Sequence, residues 1–287
     1  AQALALVYPH TGHAQYVGFT GAPGVGKSSL INQLVREFRS RGKKVGVVAV
    51  DPTSPYSGGA VLGDRIRMAD TGVDPGVFIR SMATRGHAGG LALATFDAVR
   101  VLDAMGMDVV LVETVGAGQS EVEIAGRAHT TAVVEMPLTG DSVQIMKAGI
   151  LEIGDLYVVN KSDLAETDTL VANLRFQVTA RDGWTPPILR TSALKDEGLD
   201  ELTDAIEKHR VFLEGHGLWE RREVARARQE ILENARRLLA EQVGSGPGGE
   251  AFERLVRAVV ERKLDPQSAA IRLLRPASKS RRRKIAS

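Results

Sequence analysis

Apolar and polar positions follow two alternating rhythms up to about residue 212. Short runs are apolar on successive residues and rich in β-branched side chains: "YVGFTG" (16–21), "KVGVVAVD" (44–51), "VFIRS" (77–81), "DVVLVE" (108–113), "TTAVVEM" (130–136), "LYVVN" (156–160) and "PILRTSA" (187–193). Runs without polar alternation are the signature of strands covered on both faces, as in a parallel sheet between helices. The intervening stretches carry helical periodicity. In "SSLINQLVREFRSRG" the residues Leu30, Ile31, Leu34, Val35 and Phe38 fall on one face, and Gly42 supplies a C-terminal stop. Strand and helix in turn predict a doubly wound, mostly parallel α/β domain. Its ligands are expected at the carboxyl ends of the strands.

From Val211 the rhythm changes. "LWERREVARARQEILENARRLLAEQV" is a long, charge-rich amphipathic helix pattern, "GSGPGGE" (244–250) reads as a turn or flexible linker, and "AFERLVRAVVERKL" is a further helix. "DPQSAAIRLL" begins with Asp265 as N-cap and Pro266 in the first helical position. The expected organisation is a doubly wound α/β domain over 1–210, a helical appendage over 211–275 that packs on the sheet domain or on a second copy, and a basic tail over 276–287.

Composition narrows the class without choosing a function. A chain of 287 residues, 43% hydrophobic and 25% charged, can bury a substantial core. The absence of cysteine excludes disulfides and thiolate metal sites. No apolar run approaches a membrane span, and "AQALALVYPHTGHAQ" lacks the order of a signal peptide, so a soluble cytoplasmic protein is expected. The net charge of +2 demands no acidic partner. Basic excess is local, in "SKSRRRKIAS".

The chemistry begins at "GAPGVGKS", which satisfies G-x-x-x-x-G-K-[ST] between a strand and a helix. Gly21, Ala22, Pro23, Gly24, Val25, Gly26, Lys27 and Ser28, with the adjoining Ser29, form the expected phosphate cradle. Glycines let backbone N–H groups turn toward phosphate oxygens, and the helix N-terminus adds a favourable dipole. Lys27 is expected to reach the β- and γ-phosphates and the Ser28 hydroxyl to ligate Mg²⁺. A second motif, "VVNKSD", ends a strand with Asn160, Lys161 and Asp163. The Asp163 carboxylate can accept from guanine N1–H and the 2-amine, whereas adenine would face it with an acceptor. Sites built on such bonds discriminate by roughly 10⁴-fold. The stem of Lys161 can lie along the ring. Ser192, Ala193 and Leu194 in "TSAL" can offer backbone N–H groups to O6. GTP and GDP are the expected nucleotides. Either motif alone has a plain reading, as a Gly-rich turn or a solvated helix cap; their order in an alternating chain favours the nucleotide.

"DVVLVETVGAGQSE" places Glu113 at the end of an apolar strand, where a buried acid calls for a cation. Asp51 ends another strand at the same pole. Ser28, Asp51 and Glu113 make a sensible Mg²⁺ set, unless one of the acids caps the next helix. The Gly116 N–H can sense the γ-phosphate. Ala117 stands where a hydrolytic switch usually carries a water-orienting Gln, and Gln119 lies two residues beyond it. Slow intrinsic hydrolysis is therefore expected.

In this order "GAPGVGKSSL", "AVDPTSPYSGGAVLGDRIRM", "RGHAGGL", "VLVETVGAGQSE" and "VVNKSDL" resemble the methylmalonyl-CoA mutase-associated GTPases, a family also labelled arginine/ornithine transport ATPase or kinase. The likeness runs from "YPHTGHAQ" through "DPQSAAIRLL". It implies a homodimeric GTPase chaperone that protects an adenosylcobalamin-dependent methylmalonyl-CoA mutase and gates cofactor loading and release. The resemblance makes Asp64 a candidate for catalysis beside Lys27 and Glu113, with a plain i,i+3 ion pair to Arg67 as the other reading. It places a first switch around Asp64, Arg65 and Arg67, a second over 114–123, and a partner-contacting third in "TGDSVQIMKAG" with Asp141 and Lys147, for which a solvated loop is the other reading. Family members carry a helical segment ahead of "YPHTGHAQ", where this chain begins almost at once. The tail after Leu274 has no family counterpart; its basic cluster is expected to be a disordered solubilising segment, with nucleic-acid binding as the alternative.

Other classes fit less well. A metal-inserting GTPase usually shows His-rich tracts or Cys pairs. Here His10, His13, His87, His129, His209 and His216 are scattered; His87 in "TRGHAGG" is the best ligand candidate, but a loop hydrogen bond is its favoured reading. An ATP-dependent transport kinase conflicts with Asn160, Lys161 and Asp163, and a nucleic-acid module leaves the P-loop unexplained.

Overall fold

The computed structural model of the chain describes residues 2–51, 74–83, 88–114, 127–137, 152–244 and 246–274. The apolar runs form strands β1 (Gln15–Thr20), β2 (Val45–Asp51), β3 (Val77–Ala83), β4 (Val109–Glu113), β5 (Thr130–Glu135), β6 (Leu156–Val159) and β7 (Ile188–Arg190). They make one sheet in the order β3-β2-β4-β1-β5-β6-β7. Every neighbouring pair is parallel. The described helices are α1 (Gln2–Val7), α2 (Lys27–Ser40), α3 (Ala88–Ala104), α4 (Thr167–Gln177), α5 (Leu199–Gly215), α6 (Leu218–Gly244), α7 (Gly246–Val260) and α8 (Pro266–Leu274).

Side-chain alternation along each strand feeds two apolar layers, which is why the runs are apolar throughout. Val17, Phe19, Val47, Leu111, Val134 and Val158 face α2 and α5. Tyr16, Val48, Val110 and Val112 face α3 on the other side, through Phe96, Val99 and Leu102. Farther along that face, Val133, Tyr157 and Val159 meet Val171 and Leu174 of α4. The five apolar residues of α2 are all fully buried. Each contributes roughly 1.5–3 kcal/mol to holding the helix on the sheet.

The strand order sets the position of the site. The chain leaves β1 for β2 past β4, and leaves β4 for β5 past β1. Connections therefore part in opposite directions above the carboxyl ends of β1 and β4, which opens the crevice where doubly wound sheets bind ligands. The P-loop and Glu113 lie at those two ends.

The opposite pole carries a buried polar framework. Asp103, at the end of α3, accepts hydrogen bonds from the backbone N–H groups of Gly12, His13 and Ala14 at 2.7, 3.1 and 3.0 Å, and from the Tyr16 hydroxyl at 2.6 Å. Burial and this carboxylate push the Tyr16 phenol well above its usual range. The Tyr16 N–H donates to His129 Nδ1 at 2.9 Å. The neutral imidazole therefore carries its proton on Nε2, which donates to Glu223 Oε1 at 2.5 Å. Trp219 stacks on His129 with ring centroids 3.8 Å apart. Arg222 forms a two-pronged pair with the buried Asp155 at 2.8 and 2.9 Å, and Arg226 lies over the Tyr16 ring at 4.6 Å. Trp219, Arg222, Glu223 and Arg226 share one helix face, so the first turns of α6 are keyed to the base of the sheet.

By contact the chain divides into Ala1–Arg226 and Ala227–Ser287. In the second unit α7 begins at Gly246, so most of the stretch expected to be a linker is helical. Pro247 falls in the first turn, where a missing N–H leaves no intrahelical bond unmade. Asp265 caps α8 by accepting from Ser268 N–H at 2.9 Å. Hydrogen bonding from the Ser268 hydroxyl, and then from this N–H, holds its carboxyl below the usual range. Phe252, Val256, Val259, Ala269 and Leu273 line an apolar groove of about 270 Å³ between α7 and α8.

Candidate guanine-nucleotide site

The P-loop is tight at two glycines. Gly21 has φ +139°, and a Cβ there would stand 2.0 Å from the Val134 carbonyl oxygen. Gly26, at φ +96°, would place one 2.5 Å from Asn160 Nδ2. A loop that crosses β5 and the Asn160 amide this closely admits no side chain at either point. The loop's backbone N–H groups are thereby free to turn inward at the start of α2. Lys27 is buried, and its ammonium donates to the carbonyls of Gly21 at 2.8 Å and Ala22 at 3.1 Å. A phosphate seated in the loop would draw the same ammonium onto its oxygens.

At the mouth of the crevice the Ser28 hydroxyl donates to Glu113 Oε1 at 2.7 Å. Two adjacent oxygens bound to one Mg²⁺ at ~2.1 Å stand about 3 Å apart. The spacing of Ser28 and Glu113 therefore suits two neighbouring corners of a magnesium octahedron. Hard oxygen donors are also the right chemistry for that ion. The backbone of Asp51 ends β2 beside β4, paired with Ala83; its side chain lies outside the described residues.

On the base side, Asn160 is buried and joins three segments. Its Nδ2 donates to the Val25 carbonyl at 2.8 Å, and its Oδ1 accepts from Thr191 Oγ1 at 3.2 Å and Ala193 N–H at 3.3 Å. Lys161 takes a left-handed φ of +56°. Its ammonium reaches across to the Gly24 carbonyl at 2.8 Å and stands 3.2 Å from Met136 Sδ, so its stem spans the floor of the loop. Asp163 accepts from Ser192 Oγ at 3.0 Å and has Lys195 Nζ at 3.7 Å. The Ser192 bond, with Lys195 nearby, holds the Asp163 carboxyl below its usual range, so it is charged at neutral pH. A carboxylate fixed in this way can accept two hydrogen bonds from a guanine edge.

The family model for "Methylmalonyl Co-A mutase-associated GTPase MeaB" matches residues 1–247. The chain is a GTPase of the MeaB family. A protein named as a GTPase in Pyrococcus abyssi is 46% identical over 275 residues, covering 94% of this chain and 85% of its own. A probable GTPase of Mycobacterium tuberculosis is 39% identical over 290 residues, covering 96% of this chain and 85% of its own. Among solved structures, a LAO/AO transport system kinase superposes with a TM-score of 0.68 at 27% identity, covering 95% of this chain and 84% of that one.

Within this MeaB-family fold the described part of the P-loop set, the Asn160–Asp163 group and the Ser192–Leu194 turn come to one pole of the sheet with Glu113. Asp64, Arg65, Arg67, His87, Gly116, Ala117, Gln119, Asp141 and Lys147 lie outside the described residues, as does the tail from 275. The structure adds side-chain contacts that the motifs did not specify. Thr191 and Ser192 act through their hydroxyls, Met136 through its sulfur, and Gln33 donates to the Ala193 carbonyl at 3.1 Å. The two hydroxyls were readable, since both stand in "TSAL". Gln33 was not, because one polar residue on the flank of an amphipathic helix looks solvated.

Proposed function

We propose that this MeaB-family GTPase binds GTP with Mg²⁺ and hydrolyses it slowly alone. We propose further that it serves, as a homodimer in the cytoplasm, as chaperone of an adenosylcobalamin-dependent methylmalonyl-CoA mutase. The partner rests on the family's own description, which names that mutase. The nucleotide chemistry rests on one observation above others, the 2.7 Å Ser28–Glu113 pair at the mouth of an intact P-loop. The bound metal would neutralise phosphate charge. Lys27 and the loop N–H groups would stabilise the charge that spreads over the γ-phosphoryl oxygens during in-line attack by water. Asp163 would select guanine. Asp51 would complete the metal set, and Asp64 and Gly116 would act from the switches.

Slow hydrolysis follows from Ala117, which offers no group to orient water. A rearranged switch or the bound mutase would supply it. Coupling at the level of binding must then be reciprocal: GTP and GDP change affinity for the mutase by the factor that the mutase changes theirs. Among the described residues no helix is long and apolar enough to cross a membrane. The test is single-turnover hydrolysis of GTP and ATP with Mg²⁺, with and without purified mutase. Slow GTP-only turnover that rises with mutase is the expected result. Turnover that ignores the mutase would remove the partner, and equal use of ATP would remove the role of Asp163.

A further inference from the structure

Gln33 sits on the flank of α2, half-buried beside the apolar face that holds the helix on the sheet. Its amide orientation is set from both ends. Nε2 donates to the Ala193 carbonyl at 3.1 Å, and Oε1 accepts from the Arg36 guanidinium at 3.3 Å. The Ala193 residue is thus gripped twice, by Gln33 at its carbonyl and by Asn160 Oδ1 at its N–H, 3.3 Å away. Its own loop closes on itself through Ser192 and Glu197, whose backbones exchange bonds at 3.0 and 3.2 Å. Leu194 contributes no anchorage from its side chain, which is 89% exposed.

The described peptides include no cis bond. In a trans peptide the carbonyl and the following N–H point in opposite directions. Tying the Ala193 carbonyl toward α2 therefore turns the Leu194 N–H away from α2. The same helix begins with Lys27 and Ser28, six and five residues before Gln33. At 1.5 Å per residue that is about two turns from the phosphate end to the base loop.

We propose that Gln33 is a positioning residue for guanine: by holding the Ala193–Leu194 peptide it aims the Leu194 N–H at the base O6. It thereby ties the phosphate helix to base recognition. This rests on the reading of Asn160–Asp163 and Ser192–Leu194 as the guanine side of the site. A nucleotide that loses a preorganised donor leaves faster, while its phosphate contacts are untouched.

The experiment compares the full chain with Gln33→Met, which keeps volume and helix propensity but has no donor, and Gln33→Glu, which sets an acceptor against the carbonyl. Thermal melting without nucleotide confirms that both fold. Dissociation of a ribose-labelled fluorescent GDP is followed by stopped flow, and GDP and 6-thio-GDP are compared as competitors. The sulfur is a poor acceptor, so 6-thio-GDP already lacks most of the bond in question but keeps N1–H and the 2-amine for Asp163. Gln33→Met should release GDP about tenfold faster, the equivalent of one hydrogen bond at roughly 1.4 kcal/mol. Gln33→Glu should do at least the same. Affinity for 6-thio-GDP should change by less than about twofold in Gln33→Met, since the donor it would lose is hardly used. Equal losses for GDP and 6-thio-GDP would show that Gln33 merely supports the helix, and unchanged GDP release would show that it does nothing for the base; either overturns the proposal. A wild-type chain that fails to bind the labelled GDP would instead overturn the guanine reading beneath it.

Discussion

Acid should weaken the sheet domain through two buried imidazoles at the pole opposite the P-loop. His129 is 1% exposed, and its Nδ1 is already occupied by the Tyr16 N–H. Burial brings its pKa down to about 4, with Arg226 and Arg222 opposing a positive charge and Glu223 only partly offsetting them. His209, buried beside Asp155, is likewise brought to about 4. The unfolded chain takes up these protons near pH 6.5, before the folded chain does. Stability is therefore full above about pH 6.5 and falls as pH drops toward 4. Between pH 8 and pH 5 each imidazole should remove about 2 kcal/mol, since the unfolded form is then almost fully protonated and the folded form is not. One such loss corresponds to a melting shift of ~4–8 °C in a domain of this size. Glu223, whose carboxyl is held below its usual range despite burial, adds its own loss only at lower pH.

The assay uses the chain's own probes. Both tryptophans, Trp184 and Trp219, lie in the first unit, and Trp219 stacks on His129. Their fluorescence during urea unfolding at pH 8, 6.5 and 5 gives the slope directly. His129→Asn keeps an acceptor for the Tyr16 N–H but cannot reach Glu223, so it should cost about 1–3 kcal/mol at pH 8. Its loss between pH 8 and 5 should be smaller than wild type by about 2 kcal/mol, leaving the His209 part. A variant with the full wild-type slope would refute the reasoning, because the acid sensitivity would then arise elsewhere.

Three further outcomes follow from the site. Asp163→Asn exchanges an acceptor pair for an amide and should lower GDP affinity by roughly 10³–10⁴-fold while gaining xanthosine diphosphate, measured by competition with a labelled nucleotide. Gly26→Ala forces a Cβ onto Asn160 Nδ2 at a left-handed φ; calorimetry should show GDP binding weakened by roughly 10- to 100-fold with the fold intact, and unchanged affinity would contradict the tight loop. Glu113→Gln retains an acceptor for Ser28 but removes the charge, so Mg²⁺ should no longer strengthen GTP binding. Single-turnover hydrolysis in that variant should fall by roughly 10²-fold, the scale of losing one preorganised charge-stabilising group.

The strands were legible because a parallel sheet buried on both faces writes its own pattern: no polar alternation survives in "VGVVAV" or "VVLV". Their order was not. Nothing in the spacing says that β4 lies between β2 and β1, since that choice depends on crossovers and layer packing rather than on any local residue. Helix caps with a local mechanism, such as Asp265 before Pro266, could be read directly. The glycine-rich start of α7 could not, because the tolerance of a first turn for Pro and Gly depends on the helix that follows it.

The same division between local and distant partners separates the two poles of the sheet. At the proposed nucleotide pole each group belongs to a short motif of fixed spacing, so Lys27, Ser28, Asn160 and Asp163 announce themselves. At the base of the sheet no ligand imposes a spacing. Asp103 serves Gly12 and Tyr16, and Arg222 serves Asp155, across 91, 87 and 67 residues of chain. In the sequence these are an ordinary acid at a helix end and one arginine among many. Only the fold can make them partners, and burial then makes them costly to separate, since a buried carboxylate left without its guanidinium loses about 3–5 kcal/mol. Gln33 stands between the two cases: it lies six residues from a motif lysine, yet its partner, Ala193, is a backbone carbonyl 160 residues away that carries no sequence signature at all.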